Sequence, residues 1–297
     1  MAVLKIQSLT KTYGRVTALK DLNLTIEAGN IYGLLGPNGS GKTTTLGIIL
    51  GILAQDSGSF EWFDGDFGVK HRLKIGAILE TPNFYPYLNA DENLEIIREI
   101  KHDTSTDFDE LLTLVNLIDR RKSRFSTYSL GMKQRLAIAA TLIGNPDVLI
   151  FDEPTNGLDP QGIAEVREIL KKIANTGKTV IMASHILDEV EKICTHVAII
   201  KKGKLLATGP VGSIINSDIT VEVAAEDMEK LYNVMQSVPM VKRIERKEKI
   251  FEIGIDESAD HSVLNHIAFE NGIILSHFLA RKKRLETEFL EITAKAG

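Results

Sequence analysis

The hydrophobic pattern changes period several times along the chain. Residues 3–9 and 18–26 alternate apolar and polar positions, which predicts two strands around a turn at Tyr13-Gly14-Arg15. The run Ile31-Tyr32-Gly33-Leu34-Leu35 is short and wholly apolar, as in a strand buried on both faces. Leu46, Ile49, Leu50 and Leu53 then recur at helical spacing. A strand at 58–63, a turn at Asp64-Gly65 and a strand at 75–79 follow. From Asp91 to Asn145 the period is helical, with stripes at Leu94, Ile97, Ile100, at Leu111, Leu114, Leu117, and at Leu136, Ala139, Ala140, Ile143. Strands at 148–151, 179–183 and 197–200 then alternate with helices at 160–174 and 186–193. That alternation predicts a parallel sheet covered on both faces.

The pattern breaks around 209–217 and starts afresh. A strand at 219–223, a helix at 228–235, a hairpin of 241–244 and 250–255 around 247–249, a helix at 261–269, a strand at 273–279 and a helix at 285–292 give the order β-α-β-β-α-β. The expected architecture is α/β: residues 1–217 as a core domain with a helical part at about 91–145, and residues 218–297 as a small ferredoxin-like α+β appendix.

Composition narrows the function classes. A hydrophobic content of 43% and a charged content of 25% over 297 residues are those of an ordinary globular chain. The net charge of -5 disfavours a nucleic-acid partner, which calls for a basic face. The single cysteine, Cys194, allows no internal disulfide and reads as a buried thiol in a reducing compartment. No run approaches the roughly 18–20 apolar residues of a membrane span. The N-terminus alternates like a strand and lacks the apolar centre of a signal peptide. The expectation is a cytoplasmic protein whose membrane role, if any, runs through another chain.

Chemistry enters at Gly36-Pro37-Asn38-Gly39-Ser40-Gly41-Lys42-Thr43-Thr44, which fits G-x-x-x-x-G-K-[ST] between a predicted strand and a predicted helix. Glycines let the backbone close around phosphate, and its N–H groups form an anion nest at the positive end of the helix. Lys42 supplies a cation for the outer phosphates, and the Thr43 hydroxyl is a Mg²⁺ ligand. This is a nucleoside-triphosphate site. A second element, Val148-Leu149-Ile150-Phe151-Asp152-Glu153, is an apolar strand ending in two carboxylates. Beside a P-loop strand it would place Asp152 near Mg²⁺ and suit Glu153 to deprotonate or polarise water.

At this point the chain resembles the ABC ATPases. Tyr128-Ser129-Leu130-Gly131-Met132-Lys133-Gln134-Arg135 is similar to their signature, with Met132-Lys133 where Gly-Gln is more usual. Gly157-Leu158-Asp159 resembles their D-loop, Ser184-His185 their switch histidine, and Tyr13 the aromatic residue that stacks on adenine. The resemblance implies two ATP molecules held between two head-to-tail ATP-binding subunits. It further implies that Ser129 and Gly131 contact the γ-phosphate on the partner's P-loop, that His185 senses that phosphate, and that Asp159 communicates across the interface. A separate membrane permease would be driven from the inner membrane face.

One departure is informative. The family's glutamine that contacts Mg²⁺ and the attacking water is replaced by Glu80. This resembles exporters conferring immunity to lantibiotics and bacitracin-like peptides, and the aromatic stretch Phe84, Tyr85, Tyr87 after it offers a socket for a permease helix. The appendix, ending in Glu288-Phe289-Leu290-Glu291, is also similar to that group. The alternative is an ABC ATPase acting on nucleic acid or ribosomes. The absence of a heptad insertion, a basic stripe and a second motif set disfavours it. A GTPase reading lacks the Asn-Lys-x-Asp base-reading motif.

Overall fold

The alternation at the N-terminus builds a long hairpin, β1 (Ala2–Tyr13) and β2 (Val16–Glu27), paired antiparallel from Ala2↔Glu27 to Tyr13↔Val16. Leu4, Ile6, Leu9, Leu19, Leu22, Leu24 and Ile26 are buried, while Gln7, Lys20, Asn23 and Thr25 remain exposed. β3 (Ile31–Leu35) is buried at every position and leads through the glycine loop into α1 (Lys42–Ile49). β4 (Ser57–Trp62) pairs back onto β1, closing a three-stranded antiparallel sheet in the order β2-β1-β4. The computed structural model describes residues 1–65, 68–79, 81–214, 219–256, 259–282 and 285–295. The chain folds as two compact units, Met1–Val211 and Gly212–Ala294.

β5 (Ile75–Ile78) precedes the helical part, which holds α2 (Ala90–Ile100), α3 (Phe108–Leu114) and α4 (Leu130–Leu142). A capping box starts α2: Asn89 Oδ1 accepts from the Glu92 amide, and the Glu92 carboxylate accepts from the Asn89 amide. Its apolar stripe is shorter than expected, since Ile100 is 72% exposed. Lys101, one turn beyond Ile97, takes the inward place. Its ammonium donates to Ile143 O at 2.7 Å at the end of α4, where a cation suits the helix dipole. In α3 Leu111 and Leu112 are buried, as are Val115 and Leu117 just beyond its end, and Leu114 is only half-buried.

β6 (Val148–Asp152), α5 (Pro160–Ala174), β7 (Thr179–Ser184), α6 (Leu187–Ile193), β8 (His196–Lys201) and β9 (Lys204–Pro210) complete the larger unit. The six-stranded sheet runs β5-β6-β7-β3-β8-β9, parallel except for β9. Two expectations are corrected here. The carboxylate strand β6 does not lie beside β3, because β7 pairs with both and sits between them. Helix α1 spans that gap: Leu46, Ile48 and Ile49 share a core with Val148 and Ile150 of β6. The chain also keeps pairing through Pro210 instead of breaking at 209. β8 and β9 turn at Lys202-Gly203, both with positive φ (48° and 75°), as a tight hairpin requires.

A short helix, α7 (Val211–Ile214), leads to the smaller unit; the expected boundary at 217/218 lies outside the described residues. The unit comprises β10 (Ile219–Ala225), α8 (Met228–Gln236), β11 (Val241–Lys247), β12 (Ile250–Ile255), α9 (Ser262–Glu270), β13 (Leu275–Lys282) and α10 (Leu285–Lys295). Its sheet is antiparallel in the order β11-β12-β10-β13, with Val221, Val223, Leu231, Met235, Ile253, Ile255, Leu264 and Ala268 fully buried in its core. Among the described residues no helix is long and apolar enough to cross a membrane.

Candidate functional site

The P-loop turns tightly between β3 and α1. An atom in the Cβ position of Gly36 would lie 2.2 Å from Ile200 O and 2.4 Å from Ser40 Oγ, so no larger residue fits. Gly41 caps α1 at φ 111°, which L side chains rarely adopt, and lies against Ala18 O of β2. Pro37, Asn38 and Gly39 form the exposed crest, while Ser40, Gly41 and Lys42 are buried and Thr44 half-buried. The Lys42 ammonium donates to Gly36 O at 2.8 Å and Pro37 O at 3.4 Å, holding the positive charge at the loop's mouth. Ser40 Oγ is buried without a hydrogen-bond partner among the described residues, a donor left for a ligand.

The ends of β6 and β7 complete the cluster. Thr43 Oγ1 donates to Asp152 Oδ2 at 2.7 Å, so the first turn of α1 meets the end of β6 although the strands are not neighbours. Asp152 is 5% exposed. Glu153 adopts φ 51°, an uncommon left-handed conformation for a glutamate that stores backbone strain. Its amide donates to Ala183 O at 3.0 Å, and this fixes the turn. The carboxylate accepts from His185 Nδ1 at 2.9 Å and lies 3.7 Å from Lys42 Nζ. Lys42, Thr43, Asp152, Glu153 and His185 therefore converge from three separate segments.

Ser129, Gly131 and Asp159 gather elsewhere. Ser129 caps α4, its Oγ accepting from the Met132 amide at 3.3 Å; Asp159 caps α5, its Oδ1 accepting from the Gly162 amide at 2.8 Å. The two helix starts line a groove of about 370 Å³ with Leu130, Met132, Arg135, Gly157 and Leu158, and no P-loop residue borders it. Tyr13 stands at the tip of the β1–β2 hairpin, 46% exposed, with Lys11 Nζ 5.4 Å from its ring centre. The hairpin is tied to the P-loop through the β8–β9 turn: the Lys20 amide donates to Gly203 O, and the Gly203 amide donates to Ser40 O. Glu80 lies outside the described residues. Cys194 is buried, and burial pushes its thiol up, far from reactive.

Sequence reasoning missed the bridging role of Trp62. This buried indole donates to Ile49 O at 2.8 Å and so caps the far end of α1. A lone tryptophan at a strand end gives no sequence signal for that contact.

The donor set suits a Mg²⁺ nucleotide. Thr43 and Asp152 supply hard oxygens side by side, and the loop supplies a cation and buried donors for phosphate. The cluster defines a P-loop nucleoside triphosphatase. A family model described as ABC transporter matches residues 19–156. The bacitracin transport ATP-binding protein BcrA of Bacillus licheniformis is 36% identical over 301 residues, covering 98% of this chain and 97% of that protein. The lantibiotic transport ATP-binding protein SrtF of Streptococcus pyogenes is 41% identical over 204 residues, 69% of this chain and 89% of its own length. Among solved structures, the dimeric post-hydrolysis state of the cassette MJ0796 with ADP and Pi matches at TM-score 0.62 and 29% identity, covering 70% of this chain and 98% of that one. The chain belongs to the ATP-binding subunits of the ABC transporter family, and it is an ATPase.

Proposed function

We propose that this chain powers a membrane permease that exports peptide antibiotics or similar amphiphiles, working as a head-to-tail dimer on the inner face of the membrane. One observation carries the dimer: the chain holds two incomplete half-sites. The cluster at Lys42, Thr43, Asp152, Glu153 and His185 is open at the crest 37–39, while the groove at Ser129 and Gly131 presents a helix start with nothing in the P-loop to serve. A second copy turned head-to-tail brings each to the other, and each then adds donors to one γ-phosphate. The relatives named for bacitracin and lantibiotic transport support the cargo class.

Within each site Tyr13 stacks on adenine and the loop 36–44 cradles the phosphates. Thr43, Asp152 and Glu80 would hold Mg²⁺, which neutralises phosphate charge when bound. Glu153 takes the proton of the attacking water, and His185 orients that carboxylate through Nδ1. Asp159 faces the other subunit. The permease meets the loop after Glu80, where Tyr85 and Tyr87 are 50% and 65% exposed and Phe84 folds inward.

Ser129→Arg tests the sandwich. Binding of a fluorescent nucleotide to the monomer stays at the wild-type level, and ATP-dependent dimerisation is lost. Collapse of monomer affinity would place Ser129 in its own chain's site and end the two-half-site account.

A further inference from the structure

Lys133 lies near the start of α4, four residues after Ser129, and the structure shows what this side chain touches. Lys133 Nζ lies 5.3 Å from the ring centre of Phe125, which is 5% exposed. Phe125 in turn meets Phe84 edge-on, with centroids 5.1 Å apart, and packs against Tyr128 at 5.8 Å. Phe84 belongs to the loop after Glu80, and Tyr128 immediately precedes Ser129.

Backbone bonds run along the same line. The Phe125 amide donates to Leu88 O at 2.8 Å and the Ser126 amide to Pro86 O at 2.9 Å. The loop itself is pinned on its other side, where the Tyr85 amide donates to Asn93 Oδ1 and Asn93 Nδ2 donates to Tyr85 O. Tyr128 is anchored by its hydroxyl donating to Arg120 O at 2.9 Å. The segment entering α4 is therefore held from the loop by hydrogen bonds, and α4 is held from the same segment by a cation over a ring.

We propose that Phe84, Phe125 and Lys133 form a staple that fixes the signature helix start to the loop after Glu80, with Lys133 and Phe125 acting as positioning residues for Ser129. The inference rests on the head-to-tail reading above and says how that half-site is set. Three features make it physical: a shared buried ring, two backbone bonds beside it, and a cation over that ring. A displacement of the loop then moves the start of α4 and changes how well Ser129 meets the opposite phosphate. Lys133 itself touches no nucleotide in this account.

The test is a double-mutant cycle on the full chain. Dissociation of the dimer is measured by sedimentation with saturating Mg²⁺ and a non-hydrolysable ATP analogue. Lys133→Gln and Phe84→Leu each weaken the dimer by about three- to tenfold, the size of one cation–π or aromatic pair. The double variant is no weaker than the worse single one, because both act through Phe125. Lys133→Arg restores the wild-type value, and fluorescent-nucleotide affinity of the monomer is unchanged throughout. Multiplying effects, unaffected dimers, or loss of monomer affinity in proportion would each overturn the staple. A wild type that stays monomeric under these conditions overturns the sandwich reading, and the staple's role with it.

Discussion

Thr43→Val removes one hydroxyl from the site and almost nothing else, since valine matches threonine in shape. The lost group donates to Asp152 Oδ2 at 2.7 Å, and that carboxylate is 5% exposed. A hydrogen bond to a charged group contributes about 1.5–3 kcal/mol. For a unit of this size each kcal/mol shifts the melting temperature by about 2–4 °C, so the ligand-free protein should melt roughly 3–12 °C lower. The second effect is separate. If Thr43 is also a metal ligand, nucleotide affinity without Mg²⁺ stays near the wild-type value, and the gain on adding Mg²⁺ shrinks. Differential scanning calorimetry reads the first effect and nucleotide titration with and without Mg²⁺ reads the second. In a Mg²⁺ titration of ATPase activity, Glu80→Gln should raise the Mg²⁺ needed for half-maximal hydrolysis. An unchanged melting temperature with a full Mg²⁺ gain in Thr43→Val would remove Thr43 from both roles.

Two further outcomes follow from the structure. Arg121 grips Asp91 through Nε and Nη2 and reaches Asp109 at 2.6 Å, tying the first turns of α2 and α3 together. Burial works to raise the Asp91 carboxyl, but hydrogen bonds from Arg121 and Lys122 outweigh it and hold it below the usual carboxylate range. Its stabilisation is thus full above the unfolded value of about 3.9 and fades as pH falls through the lower folded value. Arg121→Ala should melt lower at pH 7, by about 1–3 kcal/mol of stability, with the gap from wild type closing in acid; an equal gap at pH 3 would exclude the pairing as its cause. Gly36→Ala places a methyl 2.2 Å from Ile200 O, so overpacking of about 1–3 kcal/mol falls on the loop itself. Nucleotide affinity should drop roughly tenfold for each 1.4 kcal/mol that the loop carries, and wild-type affinity would show that the loop has slack.

Much of this site is legible in the sequence because its signals are local. The P-loop lies between an apolar run and a helical stripe. Helix α5 begins at Pro160 after Asp159, with a proline pre-set for the first turn and an aspartate capping it, so its start is fixed by two adjacent residues. What stays hidden depends on contacts between distant segments. Nothing local says that β7 inserts between β3 and β6, because strand order is decided by the helices crossing the sheet. β9 escapes notice since its residues are half-exposed or exposed and end in Gly209-Pro210, which reads as a break. Ile100 matches the stripe of α2, yet Lys101 wins the inward place because its ammonium can cap α4. The partner of Lys133 is likewise visible only once Phe125 is folded beneath it.

The central claim is that hydrolysis occurs in a nucleotide sandwich with Glu153 as the base, and Glu153→Gln tests it most directly. Glutamine keeps the shape and can still bond to His185, but it accepts no proton. Turnover should fall by roughly 10²–10⁴-fold, the usual contribution of a general base. ATP binding should persist, so gel filtration with ATP and Mg²⁺ should show the variant accumulating as a dimer that wild type does not retain. Near-normal hydrolysis, or a variant that stays monomeric with ATP bound, would contradict the account.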